Sequence, residues 1–313
     1  MAEHWPGGAD RRWGDLPDSR HRAGPSSVPS PGQLYTVDGH QMHIVCQGEG
    51  SPTVLLEAGG GHFSATWGWV QQQVAQGTQV CAYDRAGYGW SEPGPDPRDA
   101  VRIAGELHDL LAQAAVDPPY VVVAHSVGGI YTRVFNAHYP GEVVGMVLVD
   151  TTHPDNWAQQ GESIGALQAM ASVASVISRF GAIRLMIASQ AFDLPEAANG
   201  ALKADMASAE YWQTQQQDAA AMQMSMDEAR AAGDLGDLPL AVVMAVDYPE
   251  GRGRDTEYAL QRELASLSRN GSFQIIEGAR HITLLTNETL AAQVSGAIGR
   301  VIESARTGRP LTE

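Results

Sequence analysis

Residues 121–130 read VVVAHSVGGI, and this stretch limits the possible fold more than any other part of the chain. Its small and β-branched apolar residues predict a buried strand, which ends at a His, a Ser and two glycines. Glycine is unfavourable in the first turn of a helix, so the two glycines after Ser126 need a structural explanation. A sharp turn from strand to helix provides it, because bulk on either side of Ser126 would collide with neighbouring strands. We therefore predict a strand–turn–helix unit that lifts the Ser126 hydroxyl clear of the backbone.

The rest of the chain alternates between predicted strands and helices. A β-hairpin with an Asp-Gly turn at Asp38-Gly39 comes first. Further strands are predicted within residues 53–61, 78–91, 120–126, 143–150, 238–247 and 272–278, and helices within 97–115, 131–140 and 288–304. Strands that alternate with helices predict an α/β fold, with a mainly parallel twisted sheet covered by helices on both faces.

This alternation stops after Asp150. Residues 152–236 contain no strand pattern, are rich in Ala, Gln and Met, and carry apolar residues at helical spacing. They predict a helical cap, or lid, inserted after the sixth strand. Residues 33–151 and 237–313 then form the core, and residues 1–32, rich in Pro, Gly, Asp and Arg, form an N-terminal arm that we expect to be flexible.

The composition excludes some partners. A formal net charge of −16 disfavours nucleic acid and anionic membrane surfaces, because their phosphates would be repelled. No apolar run approaches the ~20 residues that span a bilayer, and the N-terminus lacks the apolar region of a secretory signal. We therefore expect no membrane span, a cytoplasmic location, and free buried thiols at Cys46 and Cys81. No Cys/His spacing indicates a metal site.

Five motifs occur along residues 33–304, in the order LLEAGGG, YDRAGYGWSEPG, VVVAHSVGG, MVLVD and EGARHITLL. In that order the chain resembles the α/β-hydrolase superfamily, and specifically its lidded serine hydrolases of esterase type. The resemblance implies that Ser126 is the nucleophile on a nucleophile elbow. The first small residue of this elbow is Ala124, where Gly is more common. The motifs are specific for the fold and leave the substrate open.

The resemblance also implies a base for Ser126, since a serine hydroxyl is a weak nucleophile at neutral pH. In this fold the catalytic residues follow the order Ser, acid, His, and beyond the helix after Ser126 only His153 and His281 remain. His153 opens the predicted lid. His281 follows the last strand, in EGARHITLL, where the family's catalytic His lies, and is therefore the predicted base.

Three residues are candidates for the acid. The family's usual place is the loop after strand seven, in a Gly-x-x-Asp pattern, but Tyr248 stands at that Asp position and Asp247 lies one residue short. Haloalkane dehalogenases of the superfamily instead carry the acid after strand six, where this chain has Asp150. We favour Asp150 and keep Asp247 as the alternative acid and Asp255 as a third.

Two backbone N–H groups are expected to form the oxyanion hole, which stabilises charge on a carbonyl oxygen. The N–H of Val127 follows the nucleophile. Residues 58–61 (Ala-Gly-Gly-Gly) occupy the positions of the family's His-Gly-x-Pro loop, so the resemblance implies Gly60 as the second donor.

We interpret the chain as a serine hydrolase that cleaves small, largely apolar carboxylic esters without a cofactor or a metal. Ser126 at the elbow excludes dehalogenase and epoxide-hydrolase chemistry, which needs an Asp nucleophile there. Hydrolysis of amide, lactone or carbon–carbon bonds on the same triad stays open, as does a hydrolase-fold ligand receptor without turnover. The oligomeric state is not indicated.

Overall fold

The computed structural model describes residues 28–155, 161–190, 192–246 and 252–311, and its centre is one eight-stranded sheet. The strands are β1 (Gln33–Val37), β2 (His40–Gln47), β3 (Thr53–Glu57), β4 (Val80–Tyr83), β5 (Tyr120–His125), β6 (Val143–Val149), β7 (Leu240–Ala245) and β8 (Gly271–Ile276). They lie in the order β1-β2-β4-β3-β5-β6-β7-β8. β2 runs antiparallel to both neighbours, and β3 to β8 are mutually parallel.

Helices cover both faces of this sheet. They are α1 (Gly68–Val74), α2 (Ala100–Gln113), α3 (Gly128–His138), α4 (Gly161–Ser178), α5 (Ala182–Ala188), α6 (Glu196–Met206), α7 (Ala209–Ala231), α8 (Arg252–Ala265), α9 (Thr283–Thr286) and α10 (Glu288–Thr307). Alternate residues of β5 enter different cores. Val122 and Ala124 pack with α2 and α3, whereas Val121 and Val123 pack with α1 and α10. The predicted α/β fold, with a mainly parallel sheet between two helical layers, is confirmed.

The predicted hairpin at the start of the sheet also forms. β1 and β2 pair antiparallel, with Val37 opposite His40. Asp38 and Gly39 both have positive φ, 47° and 85°, as the tightest hairpin turns require. The described part of the predicted arm, residues 28–32, leads into this hairpin, and residues 1–27 lie outside the described residues.

The expectation of free thiols is wrong. β2 and β4 pair antiparallel with Cys46 directly opposite Cys81, and the two form a disulfide with Cα atoms 4.0 Å apart. Only Cys81 is buried, whereas Cys46 is exposed. The pairing depends on the register between strands that are not consecutive, which the local pattern does not contain. Disulfides persist mainly in oxidising compartments, so this bond gives no support to a cytoplasmic location.

We expect the Cys46→Ala/Cys81→Ala double variant to unfold more easily than the oxidised protein. A cross-link over a sequence separation of 35 residues restricts the unfolded chain, which corresponds to roughly 2–4 kcal/mol of unfolding free energy. Urea unfolding measures the difference, and wild-type protein in dithiothreitol is the control and should match the double variant. Two thiols titrated in denatured, unreduced protein would contradict the bond.

Four helices, α4 to α7, connect β6 to β7, and we call them the helical insertion (residues 161–231). The described residues between 152 and 236 contain helices and loops and no strand of the sheet, as the sequence predicts. The insertion packs on the body through α7, whose Met222 and Met226 enter the same buried cluster as Val127 and Ile130 of the turn and helix after β5. This contact brings α7 close to the end of β5, where Ser126 lies.

Candidate active site

Ser126 occupies a strained turn between β5 and α3. Its φ is +55°, a left-handed conformation that residues with a side chain rarely adopt. Backbone bonds on both sides hold it there, because its N–H donates to Val149 O over 3.2 Å and its carbonyl accepts from Thr152 N over 3.1 Å. Gly128 is needed at this turn, since a Cβ on it would lie 2.8 Å from Glu57 Cγ. Tertiary contacts therefore maintain the strained turn that the sequence predicts, with Ser126 half-buried.

Asp150 and His281 meet at the same edge of the sheet. Asp150 directly follows β6, and its Oδ2 lies 2.6 Å from Nδ1 of His281. Its other oxygen, Oδ1, accepts a hydrogen bond of 3.1 Å from the N–H of Ala245 at the end of β7. Asp150 has a φ of +47°, and its own N–H donates to Val243 O over 2.6 Å. Two strands thus hold one buried carboxylate in a fixed orientation towards the imidazole.

The other two candidate acids are placed differently. Asp255 lies in the first turn of α8 and is exposed. Asp247 lies outside the described residues. Among the described candidates, Asp150 is therefore the one in contact with His281.

His281 lies in the loop between β8 and α9, and its side chain is 47% exposed. Within the part of the chain that the structure describes, no hydrogen bond joins its ring to Ser126 Oγ. Such catalytic bonds are often long in a protein without substrate and shorten when the reacting complex forms. The ring is nevertheless held in place, because it packs 4.4 Å from the ring of His125, the residue before Ser126.

His125 and His62 surround this base, and sequence reasoning did not select either of them. The ring of His125 is fully buried, with Nε2 3.0 Å from the carbonyl oxygen of His281, which fixes the loop that carries the base. Loss of water around the ring lowers the pKa of His125 well below its usual value, and it lowers the pKa of His62 to about 4. Both rings are therefore neutral at pH 7 and add no positive charge beside His281.

The loop after β3 carries the predicted oxyanion donor. A Cβ on Gly60 would lie 3.6 Å from Cγ1 of Val127, so the backbone of Gly60 approaches the start of α3. A Cβ on Gly59 would lie 3.0 Å from the Cβ of Ser126 and 2.9 Å from Nδ1 of His125. A side chain at Gly59 would therefore collide with the elbow, which explains the glycine at that position. The structure thus brings Gly60, Val127 and Ser126 together.

Arg85 holds the same loop in place through hydrogen bonds to its backbone. It follows β4 in the motif YDRAGYG and is buried. Its Nη1 donates to Ala58 O over 2.6 Å and to Glu57 Oε1 over 2.5 Å, and its Nη2 donates to Gly59 O over 2.7 Å. The sequence pattern does not indicate Glu57 as its partner. One guanidinium therefore orients the segment that carries Gly60.

We expect Arg85→Met to destabilise the fold strongly, by about 3–5 kcal/mol, because it leaves the carboxylate of Glu57 buried without its cation. Urea unfolding measures the loss. Arg269→Met is the matched control, since it removes an exposed pair with Asp237 and should lower the unfolding free energy far less. Adding Glu57→Gln to Arg85→Met should restore part of the stability. Equal losses for Arg85→Met and Arg269→Met would contradict the buried pair.

Helix α7 of the insertion contacts the glycine loop of the site. A Cβ on Gly61 would lie 2.4 Å from the Tyr211 hydroxyl oxygen and 2.0 Å from Nε2 of Gln215, so these side chains rest on the glycine loop. One helical turn on, Asp218 is buried and accepts a hydrogen bond of 2.7 Å from the Tyr88 hydroxyl. Burial raises the pKa of Asp218, and the nearby Arg85 opposes that shift. The insertion therefore packs directly against the glycine loop.

A possible metal-ligand cluster lies between the segment after β6 and helix α8. Side-chain ligand atoms of His153, Asp155 and Glu263 lie within 4.8 Å of one another. Asp155 already pairs with Arg230, whose Nε lies 2.8 Å from its Oδ1. This cation occupies the place where a metal would take a carboxylate ligand, so we assign no metal to the cluster.

Comparison with known proteins gives the fold a context. Residues 54–293 match the model of a family described as the alpha/beta hydrolase family. An uncharacterised protein of Schizosaccharomyces pombe is 31% identical over 189 residues, which cover 51% of this chain and 33% of that protein. The chain spans less than half of the length of the curated relatives it matches.

Solved structures of epoxide hydrolases share the architecture. A mutant of the Vigna radiata enzyme matches with a TM-score of 0.68 at 17% identity, covering 89% of this chain and 99% of that one. The Cif epoxide hydrolase of Acinetobacter nosocomialis matches with a TM-score of 0.67 at 15% identity, covering 85% and 88%. Likeness at this level of identity shows the fold alone.

Proposed function

Since the chain belongs to the alpha/beta hydrolase family, we propose that it is a serine hydrolase that cleaves carboxylic esters through an acyl-enzyme on Ser126. Family membership supports a hydrolase, and the finer assignment rests on one observation. The buried carboxylate of Asp150 is bonded to His281 at the sheet edge where the strained turn presents Ser126. A serine, an imidazole and a buried acid are the parts that acyl transfer needs.

In the proposed reaction His281 is the general base. Its Nδ1–H donates to Asp150, so Nε2 is free to take the proton from Ser126 Oγ as that oxygen attacks the ester carbonyl. As the carbonyl oxygen becomes negatively charged, it accepts hydrogen bonds from the N–H groups of Gly60 and Val127. His281 then returns the proton to the leaving alcohol, and a water molecule releases the acid by the same steps in reverse order.

The epoxide hydrolases that share the fold suggest a different reaction, and Ser126 argues against it here. Epoxide opening in this superfamily uses a carboxylate nucleophile at the elbow, which forms an ester with the substrate carbon. A serine in that place lacks the negative charge for such an attack, whereas it suits acyl transfer to a hydroxyl activated by a base. We therefore infer the fold from these enzymes and do not infer their substrate for this chain.

We further propose that the helical insertion is a lid over Ser126 and admits small, largely apolar acyl groups. The contacts of α7 with the glycine loop support this position. Of the methionines on α7, Met222 and Met226 are buried against the body and Met224 is half exposed. Flexible methionine side chains adapt to irregular apolar surfaces, so buried methionines beside Val127 suit a tolerant acyl site.

A panel of p-nitrophenyl esters of increasing acyl length tests this assignment, together with a lactone, an anilide and an epoxide of similar size. We expect ester turnover that favours short to medium acyl chains, unaffected by chelators. Turnover of the epoxide with none of the esters would contradict the proposal. Ester turnover that persists in Ser126→Ala would assign the activity to another residue.

A further inference from the structure

The first two helices of the insertion carry an exposed apolar surface, which we call the apolar face. It consists of residues on α4, on α5 and at the corner between them, namely Met170, Val173, Val176, Phe180, Leu185 and Met186. Phe180 at the corner is 84% exposed and Leu185 is 80% exposed. Large exposed apolar side chains that lie this close along the chain are unusual on a monomer and point to an interaction surface.

The charge of this region differs from that of the whole chain. Residues 163–192 contain Arg179 and Arg184 and no Asp or Glu, although the chain as a whole carries a formal charge of −16. Both arginines are exposed; Arg179 directly precedes Phe180, and Arg184 directly precedes Leu185. The apolar face is therefore locally cationic, and salt screening weakens the repulsion that the more distant acidic groups exert on an anionic surface there.

The shape and composition of the pair fit a shallow position in a lipid surface. No single described helix is long and apolar enough to cross a bilayer, but Gln168–Ser178 and Ala182–Ala188 together have the length and apolar composition of a span. The two segments are bent by 100° relative to each other, with Phe180 at the bend. A bent pair of this length can insert its corner below the lipid headgroups while its ends stay at the surface.

The polar atoms of α4 are compatible with that environment. Hydroxyl groups in contact with lipid need a partner within the protein, because acyl chains offer none. Ser172, which is half-buried, donates from Oγ to Gln168 O over 2.8 Å, whereas Ser175 and Ser178 are buried in the protein and do not face lipid. Ser172 therefore satisfies its hydrogen bond within the helix, as serines of membrane-embedded helices do.

From these observations we infer that the apolar face docks on a lipid surface that carries anionic headgroups. Phe180 and Leu185 enter the acyl region, and Arg179 and Arg184 meet the headgroup phosphates. A lipid surface fits better than a protein partner because it takes an apolar corner flanked by cations without a complementary pocket. This inference concerns binding and holds whether or not esters are the substrate.

Co-sedimentation with extruded vesicles tests the inference on the full chain. We expect the wild-type protein to bind vesicles of phosphatidylcholine and phosphatidylglycerol (3:1) more tightly than vesicles of phosphatidylcholine alone. Phe180→Glu should weaken binding to the mixed vesicles by at least ~10-fold, the scale of one buried aromatic side chain. Arg179→Gln/Arg184→Gln should bring binding to mixed vesicles down towards the level on neutral ones, as raised salt should.

Leu34→Glu is the matched control, because Leu34 is an exposed apolar residue on β1 at the far edge of the sheet. It should bind vesicles like the wild type, and circular dichroism should show that all variants are folded. Equal binding of wild type and Phe180→Glu overturns the inference. A wild-type dimer in sedimentation velocity that Phe180→Glu converts to a monomer also overturns it, since the face would then cover a second copy.

Discussion

Ser126→Ala is expected to lower kcat/KM for a p-nitrophenyl ester by several orders of magnitude, up to ~10⁶, with no loss of stability. The hydroxyl is the atom that forms the acyl-enzyme, and no neighbouring oxygen at the turn can replace it. Alanine fits the half-buried position without a clash. Thermal unfolding should therefore be unchanged or slightly improved, because functional strain at the turn does not depend on the hydroxyl.

Covalent labelling provides an independent reading of the same residue. A fluorophosphonate should add one label per wild-type chain, on the peptide that contains Ser126, and none to Ser126→Ala. Ser266→Ala, at an exposed serine after α8, is the matched control and should be labelled like the wild type. A label on any other serine would refute the assignment of the nucleophile.

Asp150→Asn is expected to lower kcat by ~10⁴, as neutralising the acid does in other triads. An amide in place of the carboxylate offers the wrong partner to Nδ1 of His281 and stabilises the opposite tautomer, so that Nε2 is no longer a base. KM should change little, because Asp150 is buried beneath His281 and does not face the substrate. Stopped-flow measurement of the acylation burst would show that the acylation step is slowed.

Asp247→Asn and Asp255→Asn are the matched controls, and each should cost less than ~10-fold in kcat. The hydrogen bond of Asp150 with His281 supports this order. If Asp247→Asn lost more activity than Asp150→Asn, the loop after β7 would supply the acid, and Asp150 would only join β6 to β7.

Elements with strong local patterns could be predicted from the sequence. β5 combines a run of β-branched residues with an abrupt change to glycine, and both the strand and the turn after it follow from that contrast. The Asp-Gly turn between β1 and β2 is equally local. The carboxyl ends of parallel strands meet at one sheet edge, so Ser126, Asp150 and His281 could be placed near one another before any distance was known. Their catalytic roles stay predictions until the variants are measured.

Features that depend on non-local contacts could not be predicted. The disulfide requires the register of β2 against β4, which lie next to each other only because β3 is placed one strand further in. Helix α8 is largely polar, and its few buried residues, such as Gln261, give a weak periodic signal. Glu57 ends a fully buried strand, and nothing in the sequence indicates that its carboxylate faces Arg85. The choice among the three candidate acids likewise required the distance between the Asp150 carboxylate and the His281 ring.

The packing of α7 against the body limits which insertions can be exchanged between members of the family. Arg85 faces a carboxylate of the body, Glu57, and lies close to one supplied by the insertion, Asp218, which Tyr88 binds. A chimera that receives the four helices of a relative would keep the sheet but lose this second acid unless the donor has one at the same place. Exchange of the insertion is thus constrained by the charge of Arg85 inside the body as well as by the junctions, and compatible donors can be chosen by the residue at the position of Asp218 on α7.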